Sequence, residues 1–165
     1  MKSGLIRNGC VVTPGARLDG ASVVMRGGVV ERVVAAGSPL PKTDWTFDAA
    51  GRTVFPGFID VHTHGAVGYE ITDDDPKAVP SVAEAKLAEG VTRFCPTTLT
   101  LAEAQLAAAL RRVAAYRKDE RFSKVLGVHL EGPYINPSCL GAQNPAYVRK
   151  PDIDEVLRLH AITPV

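Results

Sequence analysis

Up to about position 55 the apolar residues come in short β-prone runs, at 5–12, 21–25, 29–35 and 52–55, separated by turn residues. Runs of this length and composition predict strands. The Gly27-Gly28 pair between the second and third runs supplies the positive φ that a tight hairpin needs. No helical pattern follows that pair, which excludes a phosphate-cradling loop. Trp45 and Phe47 flank a further extended piece, so residues 1–55 are expected to form a small β-sheet module, sandwich-like in character.

Beyond Phe55 the pattern changes to alternating strand and helix. The run 54–65 ends in His62-Thr63-His64, and period-two alternation would place Phe58, Asp60, His62 and His64 on one face. A helix running to Glu89 is expected, with Pro80 in its first turn and Gly90 as its stop. A buried strand over 91–96 comes next. Thr100-Leu101-Ala102-Glu103 has capping-box form, and Ala102, Leu106, Ala109, Leu110 and Val113 make one apolar helical stripe. A third strand is expected over 124–131, with Val125, Gly127, His129 and Glu131 on one face. Asp152 then caps a helix whose stripe is Ile153, Val156, Leu157 and His160. This order predicts an α/β fold of parallel βαβ units over residues 56–165.

Composition narrows the function classes. The 165 residues are 45% apolar and 22% charged with net charge +1, which gives no electrostatic footprint for a nucleic-acid partner. No apolar run approaches the roughly 20 residues of a membrane span, and the first residues lack the apolar core of a secretory signal. A cytoplasmic location is expected. Cys10, Cys95 and Cys139 are odd in number and far apart, which argues against a disulfide framework.

The chemistry lies in two motifs. Two histidines one residue apart at a strand end bring two imidazoles to one point, as a divalent metal requires. His129-Leu130-Glu131-Gly132-Pro133 ends the third expected strand with a carboxylate, and Gly-Pro stops the strand there. In a barrel of parallel strands, such C-terminal ends share the active-site face.

Phe55-Pro56-Gly57-Phe58-Ile59-Asp60-Val61-His62-Thr63-His64-Gly65 resembles the first-strand signature of the amidohydrolase superfamily. Taken with Phe94-Cys95-Pro96-Thr97-Thr98-Leu99-Thr100, His129 to Pro137 and Gly141-Ala142-Gln143-Asn144-Pro145, the chain resembles the N-acetylglucosamine-6-phosphate deacetylase family. That resemblance implies the first three βα units of a (β/α)8 TIM-type barrel over 56–165, preceded by the sheet module. It implies a metal site of His62, His64 and Glu131 holding one or two divalent ions; such donors suit Zn, Fe, Mn or Co, and Asp60, on the face of His62, and His129 are expected to support the ligands. It also implies contact with the sugar at Ala142 and Gln143, where many members carry histidine in place of Gln143.

The implied reaction is hydrolysis of the acetamide of N-acetylglucosamine 6-phosphate to glucosamine 6-phosphate and acetate, with an amino-sugar phosphate as the small-molecule partner and a homodimer as the assembly. The general-base aspartate and two further histidines are expected downstream. About 110 residues follow Phe55, against about 250 for a whole barrel, so the chain is expected to be an N-terminal part that is inactive alone. The alternatives are a hydantoinase- or dihydroorotase-type amidohydrolase, whose carboxylated lysine would come from a fourth strand, and a non-catalytic fragment.

Overall fold

Alternation in the first third produces long antiparallel strands. In the computed structural model, which describes residues 2–165, β1 (Ser3–Thr13) pairs antiparallel with β2 (Ala16–Arg26), and β2 with β3 (Val29–Val34). Gly27 and Gly28 alone join β2 to β3, with Arg26 opposite Val29. β4 (Trp45–Asp48) and β5 (Thr53–Val54) both run parallel to β1, giving a five-stranded sheet. Leu5, Val24 and Val34 form one small buried cluster, and Val11, Ala21 and Val23 another. This unit ends at Pro56, and the second spans Gly57–Val165.

The second unit is α/β. Its elements are β6 (Phe58–Thr63), β7 (Gly65–Ala66), β8 (Tyr69–Glu70), α1 (Ala78–Ala88), β9 (Val91–Pro96), α2 (Glu103–Tyr116), β10 (Lys124–Val125) and α3 (Ile153–His160), with a 3-10 turn at Pro145–Tyr147 before α3. β6 and β10 flank β9, and both pairings are parallel. β7 and β8 form a separate two-stranded hairpin. Phe94 of β9, Val79 and Val82 of α1 and Leu106, Leu110 and Val113 of α2 centre the core, each at most 1% exposed. Burying such side chains contributes about 1.5–3 kcal/mol each, which is why the sheet and its helices hold together.

The first helix begins at Ala78, has Pro80 in its first turn and is followed by Gly90 at φ +84°, as expected. Three sequence expectations need correction. The second helix starts at Glu103 rather than at a Thr100 cap: Gln105 Oε1 accepts the Ala102 N–H at 3.2 Å, and Ala102 offers no side-chain acceptor in return. The third strand is regular only over Lys124–Val125. The Leu126 and His129 N–H groups bond to Phe94 O and Pro96 O, so three residues on one side match two on the other. An extra residue of this kind is a bulge, which breaks the ladder and turns later side chains to the other face. Val128 is buried and His129 is not, reversing the expected face.

The third correction concerns α3. Its expected stripe is turned outward, with Ile153 67% and Leu157 57% exposed, while Glu155 and Leu159 are buried. Arg149 accounts for the buried charge: its Nε donates to Glu155 Oε2 at 2.9 Å, and a second nitrogen pairs with Oε1. The guanidinium holds the Glu155 carboxyl below its ordinary range. At its N-terminus, α3 is capped as expected, Asp152 Oδ1 accepting from the N–H groups of Asp154 and Glu155.

Candidate metal centre

Thr63 fixes the two histidines by standing between them. Its N–H donates to Thr97 Oγ1 at 2.9 Å and its carbonyl accepts the Thr97 N–H at 2.8 Å, and both threonines are buried. Just before this anchor β6 carries a bulge: Asp60 is opposite Phe94 and Thr63 opposite Pro96, three steps against two. The bulge overturns the expectation that Asp60 and His62 share a face. Asp60 Oδ2 instead lies 3.3 Å from Lys86 Nζ of α1, while Oδ1 accepts the backbone N–H of His62 at 3.1 Å. Asp60 thus steadies the His62 backbone and touches no imidazole. Burial alone would lower the Lys86 pKa, but its bonds to Glu89 and Asp60 outweigh that and raise it.

The two imidazoles and Glu131 converge. His62 Nε2 is 2.9 Å and His64 Nε2 3.1 Å from Glu131 Oε2, and the two Nε2 atoms are 3.3 Å apart. Three ligand atoms about 2.0–2.1 Å from a tetrahedral ion would lie roughly 3.4 Å from one another. The triangle is close to that size, and its donors, two imidazole nitrogens and a carboxylate oxygen, suit a divalent cation. Among the described residues this is the one group of three such side chains.

Further residues hold the triangle in place. His129 Nδ1 is 3.1 Å from Val61 O, so that nitrogen carries the proton, and its ring meets His62 edge-on at 4.6 Å between centroids. Gln143, expected at the sugar, spends its side chain on protein. Its Nε2 donates to Glu131 Oε1 at 2.7 Å and its Oε1 accepts the Thr100 N–H at 2.7 Å. A carboxylate only accepts and a backbone N–H only donates, so the amide can face just one way. Glu131 Oε1 is thereby held, and Oε2 is left for the histidines. Gly132, at φ +69°, packs so tightly on Thr100 that a Cβ would overlap the threonine hydroxyl. Ala142 is exposed in the same loop.

Sequence reasoning passed over Glu70. Burial raises its pKa, more than the Thr72 hydroxyl bond lowers it. Its Oε1 lies 4.0 Å from His64 Nδ1, and both atoms are buried without a hydrogen-bond partner. Its position in a short hairpin just after His-x-His was the available clue.

Residues 46–120 match the model described as the amidohydrolase family. The nearer likeness is to the N-terminal part of N-acetylglucosamine-6-phosphate deacetylases. The N-acetylgalactosamine-6-phosphate deacetylase of Escherichia coli O157:H7 is 35% identical over 82% of this chain and 36% of its own length. The N-acetylglucosamine-6-phosphate deacetylase of Rattus norvegicus is 39% identical over 62% of this chain and 26% of its own. A mutant N-acetyl-D-glucosamine-6-phosphate deacetylase from Mycobacterium smegmatis, solved in complex with N-acetyl-D-glucosamine-6-phosphate, superposes with TM-score 0.81 at 25% identity, covering 98% of this chain and 41% of that one. The chain therefore spans well under half of each relative. No helix among the described residues is long and apolar enough to cross a membrane.

Proposed function

We propose that the chain is the N-terminal part of a metal-dependent deacetylase of N-acetylglucosamine 6-phosphate, and that its second unit is the first part of a (β/α)8 barrel. The observation carrying this reading is the convergence of His62 Nε2, His64 Nε2 and Glu131 Oε2 within 2.9–3.3 Å. The names of the relatives favour the amino-sugar phosphate as substrate. Parallel pairing of β6, β9 and β10 supports the barrel, as do Ile59, Val61 and Leu126, apolar side chains 56%, 62% and 41% exposed. The free thiols of Cys10, Cys95 and Cys139 suit a reducing cytoplasm.

In this reading His62, His64 and Glu131 hold one or two divalent ions, Zn, Fe, Mn or Co. A bound ion supplies Lewis acidity for the acetamide carbonyl and lowers the pKa of water toward about 7. The chain's own contribution is rigidity: Thr97 anchors Thr63, Asp60 and His129 steady His62, and Gln143 aims Glu131. The loop of Ala142 and Gln143 borders the sugar. The proton-accepting aspartate, the remaining histidines and the homodimer belong to the longer protein.

The test has two arms. The 165-residue chain, stripped of metal and titrated with Co²⁺ or Zn²⁺, is expected to bind through the three residues without releasing acetate from N-acetylglucosamine 6-phosphate; a protein that carries this segment with the rest of a barrel is expected to release it. General-base assistance alone is typically worth 10²–10⁴-fold, hence the silence of the short chain. Metal binding unchanged in both His62→Ala and Glu131→Gln would sink the site.

A further inference from the structure

The hairpin that follows the histidines folds its last residue back onto the second of them. The Ile71 N–H donates to the His64 carbonyl at 2.7 Å, and Gly65 and Ala66 pair with Glu70 and Tyr69. Gly65 is obligatory there, because a Cβ would run into the Tyr69 carbonyl. Glu70 is fixed at both ends of its residue. Its N–H donates to Asp73 Oδ2 at 2.8 Å, and its Oε2 accepts from the Thr72 hydroxyl at 2.9 Å. Its other oxygen, Oε1, is left facing His64 Nδ1 at 4.0 Å, with neither atom in contact with water or with any other partner.

Two buried, unpartnered polar atoms facing each other are complementary when one carries a hydrogen and the other is a carboxylate oxygen. The gap exceeds a hydrogen bond by about 1 Å, within reach of a small side-chain adjustment. Without a cation, Glu131 Oε2 at 3.1 Å from Nε2 competes with Glu70 for the ring's hydrogen; once Nε2 gives its lone pair to a cation, the hydrogen belongs on Nδ1, facing Glu70.

We propose that Glu70 is a positioning residue for His64: Oε1 accepts the Nδ1–H, which fixes the tautomer and leaves the Nε2 lone pair for a divalent cation held with His62 and Glu131. The inference rests on the metal reading above and adds a residue to it. A histidine that ligates through one nitrogen is commonly oriented by an acceptor on the other, and losing that acceptor typically costs about 10–100-fold in metal affinity. Asp60, expected in this role from the sequence, instead bonds Lys86 and the backbone N–H of His62.

The experiment uses the ¹⁵N-labelled 165-residue chain without metal, with the His64 tautomer read from long-range ¹H–¹⁵N spectra, and Zn²⁺ affinity read by competition with a chromophoric chelator. The wild type is expected to divide the His64 hydrogen between Nδ1, facing Glu70, and Nε2, facing Glu131, and to show one Zn²⁺ site that disappears in Glu131→Gln. In Glu70→Leu the Nδ1–H population falls and Zn²⁺ binds about 10–100-fold more weakly. Glu70→Gln, whose amide oxygen still accepts, keeps the tautomer with a several-fold loss. A folded Leu variant with unchanged tautomer and affinity within twofold of wild type overturns the proposal. Should the Leu variant not fold, the Gln variant decides, and an affinity within twofold overturns it. Absence of any Glu131-dependent Zn²⁺ binding by the wild type would instead overturn the metal reading, while the tautomer of metal-free His64 would still report on Glu70.

Discussion

α2 and α3 carry similar apolar stripes at helical spacing, yet they sit in opposite ways. α2 buries Leu106, Ala109, Leu110 and Val113 completely. α3 shows Ile153 and Leu157 to solvent and buries Glu155. The difference follows from what each helix holds. α2 lies in the apolar cluster that also holds Phe94, Val79 and Val82, so its contacts are apolar. α3 secures the loop between Glu131 and Arg149, so its inward face carries a charge. Arg149 extends the clamp, donating to the carbonyls of Leu101 and Tyr147 as well as pairing with Glu155. A helix that packs and a helix that ties can therefore have the same apolar periodicity.

Removing a contact that each helix makes should separate the two modes. Leu110→Ala on α2 is expected to destabilise the chain by about 2–5 kcal/mol, since it opens a cavity in a fully buried core. Chemical denaturation would measure it, and a loss under about 1 kcal/mol would mean that α2 is not the packing helix. Glu155→Gln on α3 should cost less, about 1–3 kcal/mol, because one hydrogen-bonding group replaces another while the charge opposite Arg149 disappears. This loss depends on pH in a fixed sense. The folded-state pKa of Glu155 is depressed, by Arg149 first, so its stabilisation is complete above the ordinary carboxylate value of about 4.3 and fades as pH falls toward the folded value. The wild type and Glu155→Gln should accordingly differ in thermal midpoint at pH 7 and converge as the medium is acidified below about pH 4. A gap that widens in acid would contradict the assignment.

The same contrast explains what could be read from the chain beforehand. The sheet module, the Gly27-Gly28 hairpin, the α2 stripe and the ordering of strands and helices were legible, because each depends on local pattern. His62, His64 and Glu131 were legible as a group because two motifs placed them at strand ends. The faces were not. Period-two counting presumes an unbroken ladder, and a bulge interrupts it on β6 before His62 and on the 124–131 segment before Glu131. Asp60 and His129 consequently bond to backbone rather than to imidazoles. Glu155 was hidden for a different reason. Its partner, Arg149, is six residues away across a loop, where helical periodicity carries no information.

The tie that α3 makes should also reach the site. Gln143 lies in the loop closed by Arg149 and holds Glu131 Oε1 at 2.7 Å. Gln143→Ala would leave that oxygen without its donor and free the carboxylate to rotate, so divalent metal affinity is expected to fall about tenfold, with stability little changed. A competition titration with Zn²⁺ would show this. If affinity is unchanged, the loop serves the sugar alone and not the carboxylate.

The smallest effect is expected on the outward face of α3. Leu157 is 57% exposed and stands on the side opposite Leu159, which is 1% exposed. Leu157→Ala removes an apolar side chain that this chain leaves largely in water, and substitutions at such positions usually fall within about 0.5 kcal/mol. Leu159→Ala, two positions along the same helix, should cost about 2–5 kcal/mol. Measured side by side by urea denaturation, the pair tests the orientation of α3 directly, because propensity and helix position nearly cancel between neighbours. Equal losses would mean that α3 buries the stripe its sequence suggests, and Glu155 would then have to leave Arg149. A large loss at 159 with almost none at 157 fits a helix that turns 153 and 157 outward and keeps Glu155 on Arg149.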